Sequence, residues 1–354
     1  MAVKAVIGIL LGLTTALSWA PMQAQEPKPA QPPKAVARAT ERSEETPAKA
    51  VGQLVEQLRR HPPKPTTGAD RIGLYMIDVT NGDLTLIADQ PDPGFTQCGS
   101  PTWSNDGRRI LYDATPGTQF NLTHLKAVEL AERRLVVTDL GPGNCPTFSP
   151  AGDRIAFLLN PGAVPNAESG VWMMSADGSE RRLLGSYGVP KWSPYGRQLI
   201  IISFSTPREV TLMDARLEKS GRLRVPGHQV YAVPNWAGDG TLVAVIGPEA
   251  AGAGDTIALL DVSDPAQGKI QEVLWKKGDD LDVKLLYPVY SPVTRRCVFV
   301  RGEEKGMVLY SIQQGQSGPP KRLEPEGFDH RISGLAYSPD GRYVLFSSDR
   351  SDRR

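Results

Sequence analysis

Short apolar runs separated by clusters of turn-forming residues recur from Ile72 almost to the end of the chain. The stretch "PTWSNDGRRILYD" from Pro101 predicts a strand, a turn rich in Asn, Asp and Gly, and a second strand. We call this stretch the repeated phrase. Near-copies begin at Pro146, Pro190, Pro234, Pro288 and Leu335, at intervals of 44 to 54 residues. Periods of this length are typical of β-propeller blades.

Each repeat predicts four short strands. The phrase supplies two of them, and a following pair such as "GVWMMSADG" and "ERRLLG" supplies the other two. In the turn "SPDG" at 338–341, proline presets the backbone and glycine tolerates a left-handed conformation. An aromatic residue at the third position of each phrase is expected to fill the space between neighbouring blades. These residues are Trp103, Phe148, Trp192, Trp236, Tyr290 and Tyr337.

The two ends of the repeat region complement each other. Residues 72–88 form an outer strand pair without a preceding phrase, whereas the phrase at 335–347 has no outer pair after it. Pairing the first two strands with the last two makes one composite blade and removes an exposed sheet edge. The sequence therefore predicts an all-β fold, a six-bladed β-propeller of four-stranded blades over residues 69–350, closed by pairing of N- and C-terminal strands.

The residues before the repeats differ in composition. Residues 1–24 contain one early lysine and an apolar run typical of a secretory signal peptide, with a retained membrane anchor as the alternative. Residues 25–68 are rich in Pro and Ala and are expected to form a tether. Within the tether, Val51, Leu54, Val55 and Leu58 are spaced as one apolar face of a short helix. After residue 25 no stretch is long and apolar enough to span a bilayer, so the mature domain should not cross a membrane.

Composition and charge limit the classes of partner that the chain is expected to bind. The 35 glycines and 31 prolines suit a protein of many short strands joined by turns. The formal net charge of +1 gives no positive electrostatic field that would attract nucleic acid. Three cysteines are too few for a disulfide framework. Cys98 and Cys145 precede consecutive phrases, which leaves a bridge between them or two free thiols as alternatives, and Cys297 is expected to be a buried apolar residue.

The repeats carry a family resemblance. The segments Ser338–Phe346, Ser149–Phe157 and Ser193–Ile200 resemble the Pro-Asp, WD-repeat-like repeats of TolB-like six-bladed propellers. The pattern is weaker at "SPVTRR" (291–296) and "WAGDG" (236–240). The resemblance implies a periplasmic or secreted binding protein of the cell envelope. TolB itself also has a folded N-terminal α/β domain, where this chain has the tether.

No catalytic constellation stands out. The four histidines are scattered, no G-x-S-x-G elbow is present, and the sequence predicts neither a metal site nor a cofactor. Two alternatives remain open. One is a channel-centred polysaccharide lyase or hydrolase that uses His330, Arg331 and Lys191. The other is a small-molecule or calcium sensor that uses Asp279, Asp280 and Asp282.

Propellers commonly bind partners where loops converge at the mouth of the central channel. In this chain the candidate binding residues at that mouth are Gln97, Asn144, Tyr187, Lys191, Tyr231, Asn235, Arg331 and His330, with Leu286 in the corresponding loop of the fifth repeat. Amide, phenol and cationic groups together suit a polar recognition surface. The sequence thus predicts a monomeric, non-catalytic scaffold that binds a protein or peptide and no nucleic acid.

Overall fold

The computed structural model describes residues 45–63, 71–89, 94–131, 134–196, 198–214, 220–249, 252–278, 283–304, 306–324 and 330–350. The predicted signal peptide and most of the predicted tether lie outside these ranges. Within them, one α-helix, α1 (Pro47–Arg60), precedes six antiparallel sheets. Each sheet is one blade, so the predicted all-β six-bladed propeller is confirmed.

Blade 1 contains β3 (Gln97–Trp103), β4 (Arg109–Thr115), β5 (His124–Ala131) and β6 (Arg134–Pro142). Blade 2 contains β7 (Asn144–Phe148), β8 (Arg154–Leu159), β9 (Gly170–Ser175) and β10 (Arg182–Gly185). Blade 3 contains β11 (Val189–Trp192), β12 (Gln198–Ile202), β13 (Val210–Asp214) and β14 (Ser220–Arg222).

The second half of the ring follows the same order. Blade 4 contains β15 (His228–Val230), β16 (Asn235–Gly238), β17 (Thr241–Pro248), β18 (Thr256–Asp261) and β19 (Lys269–Lys276). Blade 5 contains β20 (Lys284–Ser291), β21 (Arg296–Glu303), β22 (Gly306–Gln313) and β23 (Lys321–Arg322). Blade 6 contains β24 (Ile332–Tyr337), β25 (Tyr343–Ser348), β1 (Gly73–Asp78) and β2 (Leu84–Ala88).

Blade 6 closes the ring. Its strand order is β2-β1-β25-β24, and β1 pairs with β25 along its whole length, with Tyr75 opposite Phe346. The rings of these two residues stack at 5.8 Å between centroids. The first and last strands therefore share one sheet, as the complementary halves in the sequence predicted.

The phrase turn forms as its chemistry predicts. In blade 6, the Ser338 hydroxyl donates to Asp340, and Asp340 accepts a second hydrogen bond from the Arg342 amide at 3.1 Å. Gly341 has a φ of +72°, in the left-handed region where a side chain would be strained. These contacts satisfy the polar groups of the turn and direct the chain into the next strand.

Apolar side chains fill the spaces between neighbouring blades. Of the six aromatic residues at the third phrase position, Trp103, Phe148, Trp236 and Tyr290 are buried, and Trp192 and Tyr337 are partly buried. The clusters to which they belong combine strands from adjacent blades. The expectation that these residues hold blades together is confirmed.

Helix α1 packs on the seam between blade 6 and blade 1. Thr46 caps its N-terminus, and its apolar face, predicted from spacing, is buried. Val51, Leu54, Val55 and Leu58 join a cluster with side chains of both blades, including Ile87 of β2 and Val128 of β5. The helix thus buries its apolar stripe across the place where the ring closes.

The innermost strands are not uniform. In blades 1, 2, 5 and 6, the ladder register shifts just before the repeated phrase, which is the signature of a β-bulge. Blade 4 instead divides its innermost strand into β15 and β16, which both pair with β17. Pro234 lies in the gap, and a proline cannot donate to a ladder. Bulges and the gap alter which groups face the channel.

Candidate functional site

Two cavities lie along the central channel. The wide cavity has a volume of about 950 Å³ and is bordered by loops that include Phe120, Asn160 and Phe204. The aromatic cavity, of about 570 Å³, is bordered by all six third-position aromatic residues of the phrases. Both cavities are lined by Lys191 and Asn235, so they meet at this level of the channel.

A ring of residues immediately before the phrases lines the wide cavity. The six members, one per blade, are Ser100, Cys145, Val189, Val233, Tyr287 and Gly334. Four of them have left-handed φ angles between +44° and +58°, and these four belong to the bulged strands. The other two are valines, and a β-branched residue avoids this conformation. The bulge therefore forms only in the blades whose residue permits it.

A bulge frees backbone groups from the ladder, and one freed amide of blade 2 binds a side chain of the neighbouring blade 1. The Cys145 amide donates to Asp113 Oδ2 at 2.8 Å, and the Ser100 hydroxyl also hydrogen-bonds Asp113. Gly99 lies so close that a Cβ there would stand 2.5 Å from Asp113 Oδ1. Asp113 is thus held between blades 1 and 2 by contacts that depend on the backbone path.

Burial controls the ionisation of groups at the level where the cavities meet. Burial raises the pKa of Asp113, against hydrogen bonds from Cys145 and Ser100 that lower it. Burial also lowers the pKa of Lys191, although the nearby Cys145 and Asp113 act in the opposite direction. Both shifts arise because a poorly solvated site disfavours charge.

Exposed aromatic side chains border the wide cavity. Phe120, Tyr187 and Phe204 have exposed fractions of 58%, 47% and 53%. The rings of Tyr187 and Phe204 lie 5.6 Å apart, and the Tyr187 hydroxyl donates to Asn160 at 2.7 Å. Asn144 and Asn160 both donate to the Phe120 carbonyl, at 3.2 and 3.0 Å. This rim is apolar at its surface and is supported by amides beneath.

The structure brings together five of the eight candidate binding residues. Gln97, Asn144, Tyr187, Lys191 and Asn235 all line the wide cavity. Asn235 is also fixed across a blade boundary, since its side-chain amide donates to the Pro288 carbonyl at 2.9 Å. Five residues predicted from loop position therefore share one cavity.

The other three candidates do not line the wide cavity. The Tyr231 hydroxyl donates to the Pro248 carbonyl at 3.0 Å. Arg331 is 79% exposed and pairs with Asp349 at 3.0 Å, beside a separate cavity. His330 is almost fully buried, with Nε2 2.9 Å from a carboxylate oxygen of Glu324. Leu286 packs among apolar residues of blades 5 and 6.

Asp113, Tyr287 and Arg208 also line the wide cavity, although loop position in the sequence did not select them. A signal for Asp113 existed, because the same position in the other repeats holds Leu158, Ile202, Ile246, Val300 and Ser347. A single charged residue at a position that is uncharged in the other repeats indicates a binding or catalytic site rather than the apolar core. Tyr287 directly precedes its phrase. Arg208 lies in the loop after β12, and no repeat pattern pointed to it.

The residues of the enzyme alternative do not lie together in the structure. Lys191, His330 and Arg331 lie in three different surroundings, so they do not form one constellation. Asp279, Asp280 and Asp282 lie outside the described residues. In the part of the chain that the structure describes, no group of three or more His, Cys, Asp or Glu side chains could hold a metal ion. None of the three cysteines forms a disulfide, so Cys98 and Cys145 are not bridged.

Within the described ranges, no helix combines the length and apolar character required to cross a bilayer.

The chain is similar in sequence to TolB proteins. No model of a known protein family matches the chain. The Tol-Pal system protein TolB of Francisella tularensis subsp. mediasiatica is 25% identical over 213 residues, which are 58% of this chain and 46% of the relative. TolB of Francisella tularensis subsp. holarctica (strain OSU18) is 26% identical over the same shares. The chain thus spans about half the length of the curated relatives that it matches.

Solved structures share the fold. The putative TolB from Agrobacterium tumefaciens superposes with a TM-score of 0.57 at 17% identity, over 79% of this chain and 98% of that one. A structure from a study of two prolyl endopeptidases gives a TM-score of 0.50 at 12% identity, over 86% of this chain and 49% of that one. At such identities the likeness concerns the fold alone. With the sequence relatives and the closure through blade 6, the chain is a TolB-like six-bladed β-propeller.

Proposed function

We propose that this chain is an exported, non-catalytic binding protein of the cell envelope that holds a protein or peptide partner at the wide cavity. The exposed rim of Phe120, Tyr187 and Phe204 carries this proposal. Three large side chains bordering one cavity supply apolar contact area, and the amides below them supply orientation. Aromatic anchors above satisfied polar groups are typical of protein recognition surfaces.

The relatives support the setting of the proposal. They are named Tol-Pal system proteins, and a partner in the cell envelope follows from that name by analogy. Export rests on the signal-peptide pattern of residues 1–24, and the part of the predicted tether before helix α1 would connect that segment to the propeller domain of residues 69–350. The proposed protein acts as a monomer, and its near-neutral charge suits a protein rather than a nucleic acid partner.

Affinity capture from bacterial envelope extract tests the proposal. The full chain is compared with a Tyr187→Ala/Phe204→Ala variant, which removes two anchors from the rim. The matched control is Tyr195→Ala/Val293→Ala, which removes two exposed side chains, 48% and 66% accessible, from the aromatic cavity. A captured protein is identified by mass spectrometry, purified, and its dissociation constant measured with each variant.

We expect the rim variant to weaken binding by about tenfold or more and the control to leave it unchanged. Unchanged thermal unfolding of both variants shows that the fold is intact. Equal affinity of all three proteins, or loss of binding in the control alone, would reject the wide cavity as the binding surface.

A further inference from the structure

The charges of the wide cavity are unequal. Among the described residues that line it, only Asp113, Lys191 and Arg208 carry charge, which gives two cations against one acid. Low-dielectric walls strengthen the field of such a small excess. The cavity therefore favours an anionic group over a cationic one.

The acid is engaged by the protein itself. Asp113 accepts from the Cys145 amide and is hydrogen-bonded by the Ser100 hydroxyl. Both donors are uncharged and come from residues at the bulges of blades 1 and 2. Asp113 is 7% exposed, so it presents little surface to a ligand. Its contacts are directed into the protein, and the two cations remain the charged groups that face the cavity.

Lys191 has no direct partner among the described residues. Its ammonium makes no hydrogen bond and no ion pair within 4.0 Å there, and it interacts with Asp113 only through longer-range charge interaction. Burial lowers the pKa of this ammonium. An ammonium in poorly solvated surroundings gains much from an anion that approaches it.

Arg208 is also incompletely satisfied. One terminal nitrogen donates to the Ser203 carbonyl at 3.0 Å, whereas Nε is buried without a hydrogen-bond partner. Its charge interacts with Tyr287, another residue of the cavity wall. No carboxylate of the described residues pairs with it. A guanidinium with a free donor is suited to receive an oxygen ligand.

We propose that the wide cavity recognises a carboxylate, a Glu or Asp side chain of the bound peptide, through Lys191 and Arg208. This inference rests on the proposed function and specifies its ligand. The aromatic rim would hold an apolar side chain of the same peptide at the entrance. Recognition of one apolar and one acidic group at different depths gives the cavity a sequence preference that apolar contact alone would not give.

Matched peptide pools test the inference. Short peptides with blocked termini carry one Trp beside one fixed residue, and the other positions are randomised among uncharged residues. The fixed residue is Glu in one pool, Gln in the second, Lys in the third and phosphoserine in the fourth. Retention of each pool is measured on the immobilised full chain. The same measurement is made on Lys191→Gln and Arg208→Gln, and on Lys321→Gln, which removes an exposed cation from outer strand β23.

We expect the Glu pool to be retained about tenfold or more above the Gln pool. Lys191→Gln and Arg208→Gln should each reduce this preference and leave retention of the Gln pool unchanged, while Lys321→Gln keeps it. Two independent substitutions are used, each with its thermal unfolding measured, so that a folding defect in one does not decide the result.

The alternative outcomes separate the two proposals. Equal retention of the Glu and Gln pools, with both lost in Tyr187→Ala/Phe204→Ala, would overturn the carboxylate inference and keep the peptide-binding proposal. Preference for the phosphoserine pool would overturn it in favour of a phosphate ligand. Retention of every pool at the level of the Tyr187→Ala/Phe204→Ala variant would overturn both proposals.

Discussion

The guanidinium of Arg71 donates a hydrogen bond to the carbonyl of Arg350 at 2.8 Å, across 279 positions of sequence. The same guanidinium pairs with Asp89, and their side chains are 6% and 0% exposed. Tyr75 adds a hydrogen bond from its hydroxyl to the Arg350 carbonyl at 3.1 Å. Polar contacts thus reinforce the strand pairing that closes blade 6.

Replacing Arg71 with alanine should destabilise the closed ring strongly. The change leaves the buried carboxylate of Asp89 without this cation, which costs about 3–5 kcal/mol in comparable buried pairs. Arg222→Ala is the control, because Arg222 pairs with Glu209 at 2.8 Å with side chains 59% and 54% exposed. Such surface pairs contribute about 0–1 kcal/mol. Urea titration measures both free energies of unfolding, and losses of equal size would contradict the role given to Arg71.

Gly107 fixes how closely helix α1 approaches blade 1. A Cβ at Gly107 would lie 2.6 Å from Val51 Cγ2 and 2.7 Å from the Pro47 carbonyl, at a φ of +72°. Gly315 has a φ of +75°, and a Cβ there would have no atom within 4 Å. Gly315→Ala is therefore the control, because it introduces the same backbone strain without a steric clash. That strain costs about 1–2 kcal/mol in either variant.

Gly107→Ala should therefore also loosen the helix. We expect faster amide hydrogen exchange over Pro47–Arg60 in Gly107→Ala than in Gly315→Ala. Identical exchange of the helix in the two variants would show that contact at Gly107 does not hold it.

Asp78 should contribute to the loss of stability in acid. Burial raises its pKa, but hydrogen bonds from Thr80 and from Arg342, with the Arg342 charge, outweigh burial and hold the pKa below its ordinary value. A carboxylate with a lowered folded pKa stabilises the fold above its unfolded pKa of about 3.9. That contribution is lost as the pH falls through the lower folded value.

Asp78→Asn should therefore reduce stability near neutral pH and make the remaining stability less dependent on acid. Urea midpoints at about pH 7 and about pH 3 measure this change. Asp83→Asn, at an exposed position of the neighbouring turn, is the control. An unaltered acid dependence in Asp78→Asn would remove Asp78 from the explanation.

Cys145 should be an unreactive thiol. Burial, with the charge of Asp113, raises its pKa to about 12, against smaller opposing effects of Ser100 and Lys191. Only the thiolate attacks alkylating reagents, so labelling by iodoacetamide at about pH 8 should be about 100-fold or more slower than in the urea-unfolded chain. Peptide mapping follows each cysteine separately. Labelling of native Cys145 at the unfolded rate would contradict the surroundings described for it.

Much of the fold could be predicted because each repeat encodes the same local structure. Turn chemistry at Gly341 and strand alternation around Phe346 both act over a few residues, so the sequence pattern reports them directly. The composite blade could also be predicted, since the two ends supplied complementary halves. Five of the eight candidate binding residues share the wide cavity because they lie at or near the start of an innermost strand.

The rest depends on backbone details that alternation does not reveal. A bulge shifts the ladder by one residue and changes which backbone groups are paired, so that the Cys145 amide reaches Asp113 instead of a ladder partner. Arg208 reaches the cavity from the loop after β12, and its backbone amide donates to the Val230 carbonyl of blade 4 at 2.7 Å. His330 looked like a mouth residue from its place before the last phrase, but its pairing with Glu324 lies in the protein interior.

Bulges in four blades and valines in the other two also determine the symmetry of the channel. The backbone repeats six times around the axis, but rotation by one blade places Val189 where Cys145 stood and Val233 where Val189 stood. A ligand that enters the wide cavity therefore has one angular setting in which its groups face matching partners. A repeat architecture that multiplies strands sixfold provides, at its axis, a single orientation for whatever it holds.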